Sequence, residues 1–130
     1  MEEQRKILLI DDEKDFVELL RDQLSLQGYK VIAAFDGDEG LKKAKSENPD
    51  LIICDIRMPN KNGHEVLSEL RKAIRKNTPF IMLSALNDLD NVMKSYDGDS
   101  DFYVPKPVQL ESLFRNIKTL LNLSKNREDV

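Results

Sequence analysis

The chain has 130 residues, which suits one compact domain; 40 % are apolar, enough for a single core, and 34 % are charged, enough for a solvated surface. A net charge of −4 argues against direct nucleic-acid binding, whose footprint is a basic face. The single cysteine, Cys54, cannot form an internal disulfide, no stretch nears the ~20 apolar residues of a membrane span, and the run Ile7–Ile10 is too short for a signal-peptide core, so a cytoplasmic protein is expected.

Short apolar runs alternate with amphipathic stretches. Ile7–Ile10 reads as a buried strand. From Glu13 to Gln27 the apolar positions Phe16, Val17, Leu19, Leu20, Leu24 and Leu26 suit a helix, which Gly28 ends. Lys30–Ala34 is the second strand. A short helix over Gly37–Ser46 turns Leu41 and Ala44 inward and ends near Pro49. Leu51–Cys54 is the third strand. After a turn at Pro59–Gly63, His64–Arg75 is helical, with Val66, Leu67, Leu70 and Ile74 on one face. Phe80–Leu83 is the fourth strand, Asp88–Tyr96 a weaker, polar helix, and Phe102–Val104 the fifth strand. Val108–Leu123 is the clearest helix, with Leu110, Leu113, Phe114, Ile117, Leu120 and Leu121 at helical spacing. One domain is expected over residues 1–124, with 125–130 a polar tail or the start of a linker.

Five strand–helix units predict a parallel α/β sheet covered on both faces, with right-handed crossovers. In such an open sheet, ligands bind beyond the carboxyl ends of the strands. The residues just after each strand are therefore the ones to weigh. Asp11, Asp12 and Glu13 follow the first, Asp55 the third, Ser84 the fourth, and Lys106 then Pro107 the fifth.

Asp55 poses the sharpest question. Leu51–Cys54 favours burial, yet it leads into a carboxylate, and burying an unpaired carboxylate is costly. Either Asp55 is a solvated turn residue, or something at that strand end requires a negative oxygen. Singly, Asp11–Asp12 reads as a helix N-cap, Ser84 as a turn serine, and Lys106–Pro107 as uninformative. If the first, third, fourth and fifth strands are neighbours, these residues project into one crevice and form one constellation. Clustered carboxylates raise each other's pKa unless a cation joins them. A few oxygen ligands suit Mg²⁺, which keeps several of its waters. A carboxylate can also attack phosphorus to give an aspartyl phosphate, whose charge a lysine and a hydroxyl offset. On that reading Asp55 ends the strand because it is the phosphorylated residue.

These residues carry a resemblance. Through ILLIDDE (Ile7–Glu13), LIICDIRMPNKNG (Leu51–Gly63), IMLSA (Ile81–Ala85) and FYVPKPV (Phe102–Val108), the chain resembles the receiver domain of two-component response regulators, of the chemotaxis-regulator-like kind, from about Lys6 to Leu123. The resemblance implies a flavodoxin-like doubly wound fold, with five parallel strands in the order 2-1-3-4-5 and five flanking helices. It implies that Asp55 is the phosphoacceptor. Asp11 and Asp12, with Asp55 and the backbone carbonyl of Arg57, would hold Mg²⁺, or Mn²⁺ in its place. Ser84 would bond a phosphoryl oxygen and Lys106 would pair with it. The Lys106–Pro107 peptide would be cis, and Tyr103 would be the aromatic switch.

The implied cycle begins with a sensor histidine kinase or phosphotransfer protein that donates a phosphoryl group to Asp55. Small phosphodonors would also serve. Ser84 then moves toward the phosphoryl group, Tyr103 turns into the space it leaves, and hydrolysis resets the site. The surface expected to change is the fourth predicted helix, the fifth strand and the last helix, roughly Asp88 to Leu121. The chain would be a signalling phosphoacceptor that catalyses its own phosphorylation and dephosphorylation, and not an enzyme with a separate substrate. A downstream protein or an appended output domain would read the switch, and the face around Tyr103 is also compatible with a phosphorylation-dependent dimer.

Several residues depart from that family's pattern or fall outside it. Asp99 stands seven residues before Lys106, where the family commonly has a glycine, and Asp97–Asp101 is acidic, so this loop is expected to differ in shape. Arg57, two residues after Asp55, is expected to influence dephosphorylation. His64, the only histidine, reads as an exposed residue at a helix start, and Cys54 as core. Arg71–Asn77 reads as the solvated end of a helix, its positive charge complementing the dipole. A haloacid-dehalogenase-type phosphatase would carry a second acid two residues after Asp55, where Arg57 stands. A nucleotide-binding domain would carry a GxGxxG or GxxxxGK[ST] loop, and neither occurs. An interaction module that no longer takes phosphate is disfavoured by the intact acids, Ser84 and Lys106.

Overall fold

The computed structural model describes residues 4–73, 77–85 and 102–128. Five strands, β1 (Lys6–Ile10), β2 (Lys30–Ala34), β3 (Leu51–Asp55), β4 (Phe80–Ser84) and β5 (Phe102–Pro105), are joined with helices α1 (Lys14–Leu26), α2 (Gly37–Glu47), α3 (Gly63–Ala73) and α4 (Leu110–Glu128). The sheet is parallel throughout, in the order β2-β1-β3-β4-β5. Five helices were expected and four stand among the described residues; the predicted helix Asp88–Tyr96 and the acidic stretch Asp97–Asp101 lie outside them. Among the described residues no helix is long and apolar enough to cross a membrane.

The central strands carry unbroken apolar runs, Ile7–Ile10, Leu51–Cys54 and Phe80–Leu83, because helices cover both faces. Alternate residues then serve two cores. Ile7, Leu9, Leu51, Ile53, Ile81 and Leu83 cluster with Val17 and Leu20 of α1 and Leu113 and Ile117 of α4. Leu8, Ile10, Ile52, Cys54, Phe80 and Met82 cluster with Leu41 of α2 and Val66 and Leu70 of α3.

Helix ends have local causes. Gly28 stops α1 in the left-handed region at φ 96°, its N–H donating to the Ser25 carbonyl. Asp36 caps α2 by accepting from the Glu39 N–H at 2.7 Å, while Glu39 reaches back to accept from the Phe35 N–H at 2.6 Å. At the start of α3 the pair is reciprocal, Asn62 accepting from the Glu65 N–H at 2.9 Å and Glu65 from the Asn62 N–H at 3.4 Å.

Some expectations need correction. Leu19 and Leu26 are 61 % and 78 % exposed. Each lies two residues beyond a buried one, Val17 and Leu24, and so roughly 200° further round the helix, on its solvent side. The last helix opens at Leu110, not Val108, and runs through Glu128, past its expected end at Leu123. Strands β3 and β4 each extend one residue further than expected and take in Asp55 and Ser84.

The topology creates one special place. From β1 the chain crosses to β2 on one side, then returns to β3 on the other. Connections leaving β1 and β3 therefore diverge, and a crevice opens at their carboxyl ends. Asp11, Asp12 and Asp55 occupy those ends.

Candidate functional site

Asp11 directly follows β1, and its N–H donates to the Ala34 carbonyl at 3.1 Å, which carries the β1–β2 ladder one step further and fixes the residue. Its side chain is fully buried. One carboxylate oxygen accepts from the Glu13 N–H at 3.0 Å, and the other from the Lys106 ammonium at 2.9 Å. Asp12 beside it is exposed. Asp55 is the last residue of β3 and only 7 % exposed. Its Oδ2 lies 3.4 Å from Lys106 Nζ, and Glu13 Oε1 lies 3.8 Å from the same nitrogen. Carboxylate oxygens of Asp11, Asp12 and Asp55 all fall within 4.8 Å of one another.

Ser84 ends β4, buried, with its hydroxyl donating to the Ala85 carbonyl at 3.2 Å. The Ser84 carbonyl accepts from the Lys106 N–H at 2.8 Å, so backbone pairing ties the hydroxyl and the lysine to one place. The Lys106–Pro107 peptide is cis. The fold thus gathers Asp11, Asp12, Asp55 and Lys106 in one crevice, with Ser84 at the adjoining strand end.

Tyr103 lies on the α2–α3 face of the sheet. It is half-buried against the core shared with α2 and α3, its ring centroid 6.5 Å from that of His64. His64 is therefore half-buried and not the exposed residue expected, and burial lowers its imidazole pKa. The Arg57 side chain is exposed, while its backbone N–H bonds the Asp55 carboxylate.

The charges do not balance. The carboxylates of Asp11, Glu13 and Asp55 lie within 4 Å of one ammonium, and Asp12 adds a fourth acid beside Asp11 and Asp55. Burial, and then the charge on Asp11, push Asp55 up to about 6, against the pull of Lys106 and the Arg57 N–H. Burial likewise raises Asp11, despite its bonds to the Glu13 N–H and Lys106. Burial alone would lower Lys106, but its hydrogen bond to Asp11 and the charges of Asp11, Asp55 and Glu13 outweigh it and hold the lysine above its ordinary value. An under-neutralised set of oxygen donors fits a hard divalent cation, which would join the carboxylates and relieve their repulsion. Asp11, Asp12 and Asp55 are the residues that could hold it.

Three further residues shape the site. The Gly63 N–H donates to the Ile56 carbonyl at 2.9 Å, and a Cβ at Gly63 would lie 2.6 Å from the Asp55 carbonyl oxygen and 2.8 Å from Met82 Sδ. Only glycine lets the β3–α3 loop fold back so closely. Beside that loop is a cavity of about 460 Å³, lined by residues such as Arg57, Met58, Asn62 and His64, which adjoins Asp55 without enclosing it. Glu13 flanks Lys106, and the Phe16 ring centroid lies 4.6 Å from the Lys106 nitrogen. Glu13 follows the acid pair in sequence, which is a usable signal. Phe16 reads only as core, and Gly63 only as a turn residue.

A doubly wound sheet with a buried aspartate, two further acids and a lysine at its switch point defines an α/β domain whose acids could hold a cation. The chain belongs to the response regulator receiver domain family, whose model matches residues 7–118. It is a signalling phosphoacceptor domain of two-component systems. A probable transcriptional regulator, ycf27, of Porphyridium aerugineum is 39 % identical over 92 % of this chain and 49 % of its own length. The alkaline phosphatase synthesis transcriptional regulatory protein PhoP of Bacillus subtilis is 38 % identical over 92 % of this chain and 50 % of its own. The chain thus spans about half the length of the curated relatives it matches. The crystal structure of a CheY-like response regulator receiver domain protein from Methanospirillum hungatei superimposes with a TM-score of 0.89 at 30 % identity, covering 96 % of this chain and 99 % of that one.

Proposed function

We propose that Asp55 is the residue that takes the phosphoryl group. The observation that carries this reading is a buried Asp55 carboxylate 3.4 Å from an ammonium and clustered with two further acids at the sheet's switch point. A carboxylate oxygen of Asp55 bonds to phosphorus in line as the donor's bond to phosphorus breaks. With a phosphohistidine donor the electron pair stays on the imidazole nitrogen, which takes up a proton. Lys106, anchored on Asp11, offsets charge on the phosphoryl oxygens. The Ser84 hydroxyl turns from the Ala85 carbonyl to a phosphoryl oxygen, and Tyr103 moves into the space released.

Asp11, Asp12, Asp55 and the backbone carbonyl of Arg57 would hold Mg²⁺, or Mn²⁺ in its place, which would supply positive charge to offset that of the transferring group. Water later cleaves the acyl phosphate, a step the domain itself promotes, and the site resets. The domain comprises residues 1–124. Its phosphodonor is a sensor histidine kinase or a phosphotransfer protein. The surface containing β5 and α4 signals to a downstream protein or an appended output domain, or pairs two copies. A cytoplasmic location keeps the buried Cys54 thiol reduced.

Treatment of the acetyl-phosphate-reacted protein with borohydride tests the assignment, because hydride reduces an aspartyl phosphate to homoserine. Peptide mapping is expected to find homoserine at position 55. Homoserine at Asp11 or Asp12 would contradict it.

A further inference from the structure

Lys106 has to hold one ammonium within reach of two carboxylates at the end of a flexible four-carbon stem. Asp11 fixes it from β1 at 2.9 Å and Asp55 faces it from β3 at 3.4 Å. Beyond these and Glu13 at 3.8 Å, a contact of another kind comes from α1, where the nitrogen stands 4.6 Å from the centroid of the Phe16 ring. Phe16 is half-buried and packed against the core cluster beneath α1, so its ring is anchored. We propose that Phe16 is a positioning residue for Lys106, holding the ammonium against Asp11 and within reach of Asp55 by cation–π attraction.

The chemistry of the site makes an aromatic face the suitable partner. Three carboxylates already lie within 4 Å of the ammonium, and another would deepen their repulsion and compete for the cation. A ring attracts the ammonium through its quadrupole without adding a net charge or a metal ligand. It also accepts no conventional hydrogen bond, so the ammonium hydrogens stay available to phosphoryl oxygens. The comparison within the molecule is Lys14, whose nitrogen is 5.9 Å from the Phe35 centroid, at the edge of the effective range, and which is exposed. This role rests on the reading that Asp55 is phosphorylated with Lys106 offsetting charge.

The test keeps the shape of residue 16 and changes its electrostatics. Full-length chain is prepared with mono-, di- and trifluorophenylalanine at position 16, beside Phe16→Tyr, Phe16→Trp and Phe16→Leu. The rate of phosphorylation by acetyl phosphate is measured at saturating Mg²⁺. The logarithm of the rate is expected to fall stepwise with each fluorine, to about five- to tenfold below the parent chain for the trifluoro ring. Tyr and Trp are expected to hold the rate, and Leu to match the trifluoro chain. Proton NMR supplies a readout independent of phosphorylation: the Lys106 ε-methylene protons are expected upfield in the parent chain, under the ring current, and at ordinary positions in Phe16→Leu. A flat fluorine series in a chain that is phosphorylated, or unshifted Lys106 protons, overturns the positioning role alone. A parent chain that takes no phosphoryl group from acetyl phosphate or from any kinase offered overturns the role and the reading beneath it, even with the ring-current shift present.

Discussion

Asp55 is buried where its own charge is least favourable, and that cost can be measured. Its pKa is raised from the ordinary 3.8 to about 6. A raised carboxylate means that the folded form binds the proton more tightly, so its contribution is present below pH 3.8 and is lost as pH climbs through about 6. Asp55→Asn removes the buried charge. The metal-free variant is therefore expected to be more stable than the parent chain at pH 7, by about 1–2 kcal/mol, with the advantage shrinking toward pH 4. Urea denaturation in EDTA at both pH values checks this; a variant less stable at pH 7 would contradict it. Lys106→Met works in the other direction. It leaves Asp11, fully buried, and Asp55 without their cation, at a cost of about 3 kcal/mol at pH 7. That cost is expected to diminish as pH falls and the acids protonate. Denaturation curves showing a pH-independent loss would contradict the assignment. Asp11, Asp55, Ser84 and Lys106 were legible as candidates because a strand end is a local feature of sequence and the parallel-sheet rule directs attention to the carboxyl ends. Phe16 was not, because its contact with Lys106 spans 90 positions of chain and joins a residue that patterning assigns to the core.

At the scale of the element, the β3–α3 loop governs what the strand end can do. Gly63 is pressed against the Asp55 carbonyl, where a methyl group would collide with backbone and with Met82. Gly63→Ala is expected to cost about 2–3 kcal/mol and to slow phosphorylation of Asp55 by displacing the loop. Thermal denaturation and acetyl phosphate kinetics on the same sample check both effects; an alanine chain with unchanged stability and rate would show that the loop is not held. The strands were legible as apolar runs, but their ends were not. Asp55 and Ser84 belong to β3 and β4 because pairing continues past the apolar run, with Asp55 opposite Leu83 and Ser84 opposite Pro105. Backbone pairing carries no side-chain signature. Helix α1 shows the opposite failure, since Leu19 and Leu26 are apolar yet lie on its solvent side. Composition named them inward and helical phase placed them outward.

Across the whole molecule, the excess of acids in the crevice predicts that a divalent cation stabilises the fold. Ligand at about a hundredfold its dissociation constant stabilises the folded state by about 2.7 kcal/mol. The melting temperature of the parent chain is expected to rise with Mg²⁺. Asp12→Asn is expected to blunt that rise while leaving the metal-free stability close to the parent value, because Asp12 is exposed. Equal Mg²⁺ responses in the two chains would place the ion elsewhere. The order of the sheet followed from resemblance, and the alternation alone left it open: alternating strands and helices specify a parallel sheet but not which strands are neighbours. That order matters, since only the neighbouring of β1 and β3 brings Asp11 to Asp55. The most direct measurement is the intact mass of the protein after incubation with acetyl phosphate and Mg²⁺, beside Asp55→Asn and a sample in EDTA. One phosphoryl group on the parent chain and none in either control is the expected result. An Asp55→Asn chain that gains the same stable phosphoryl group would contradict the assignment of Asp55.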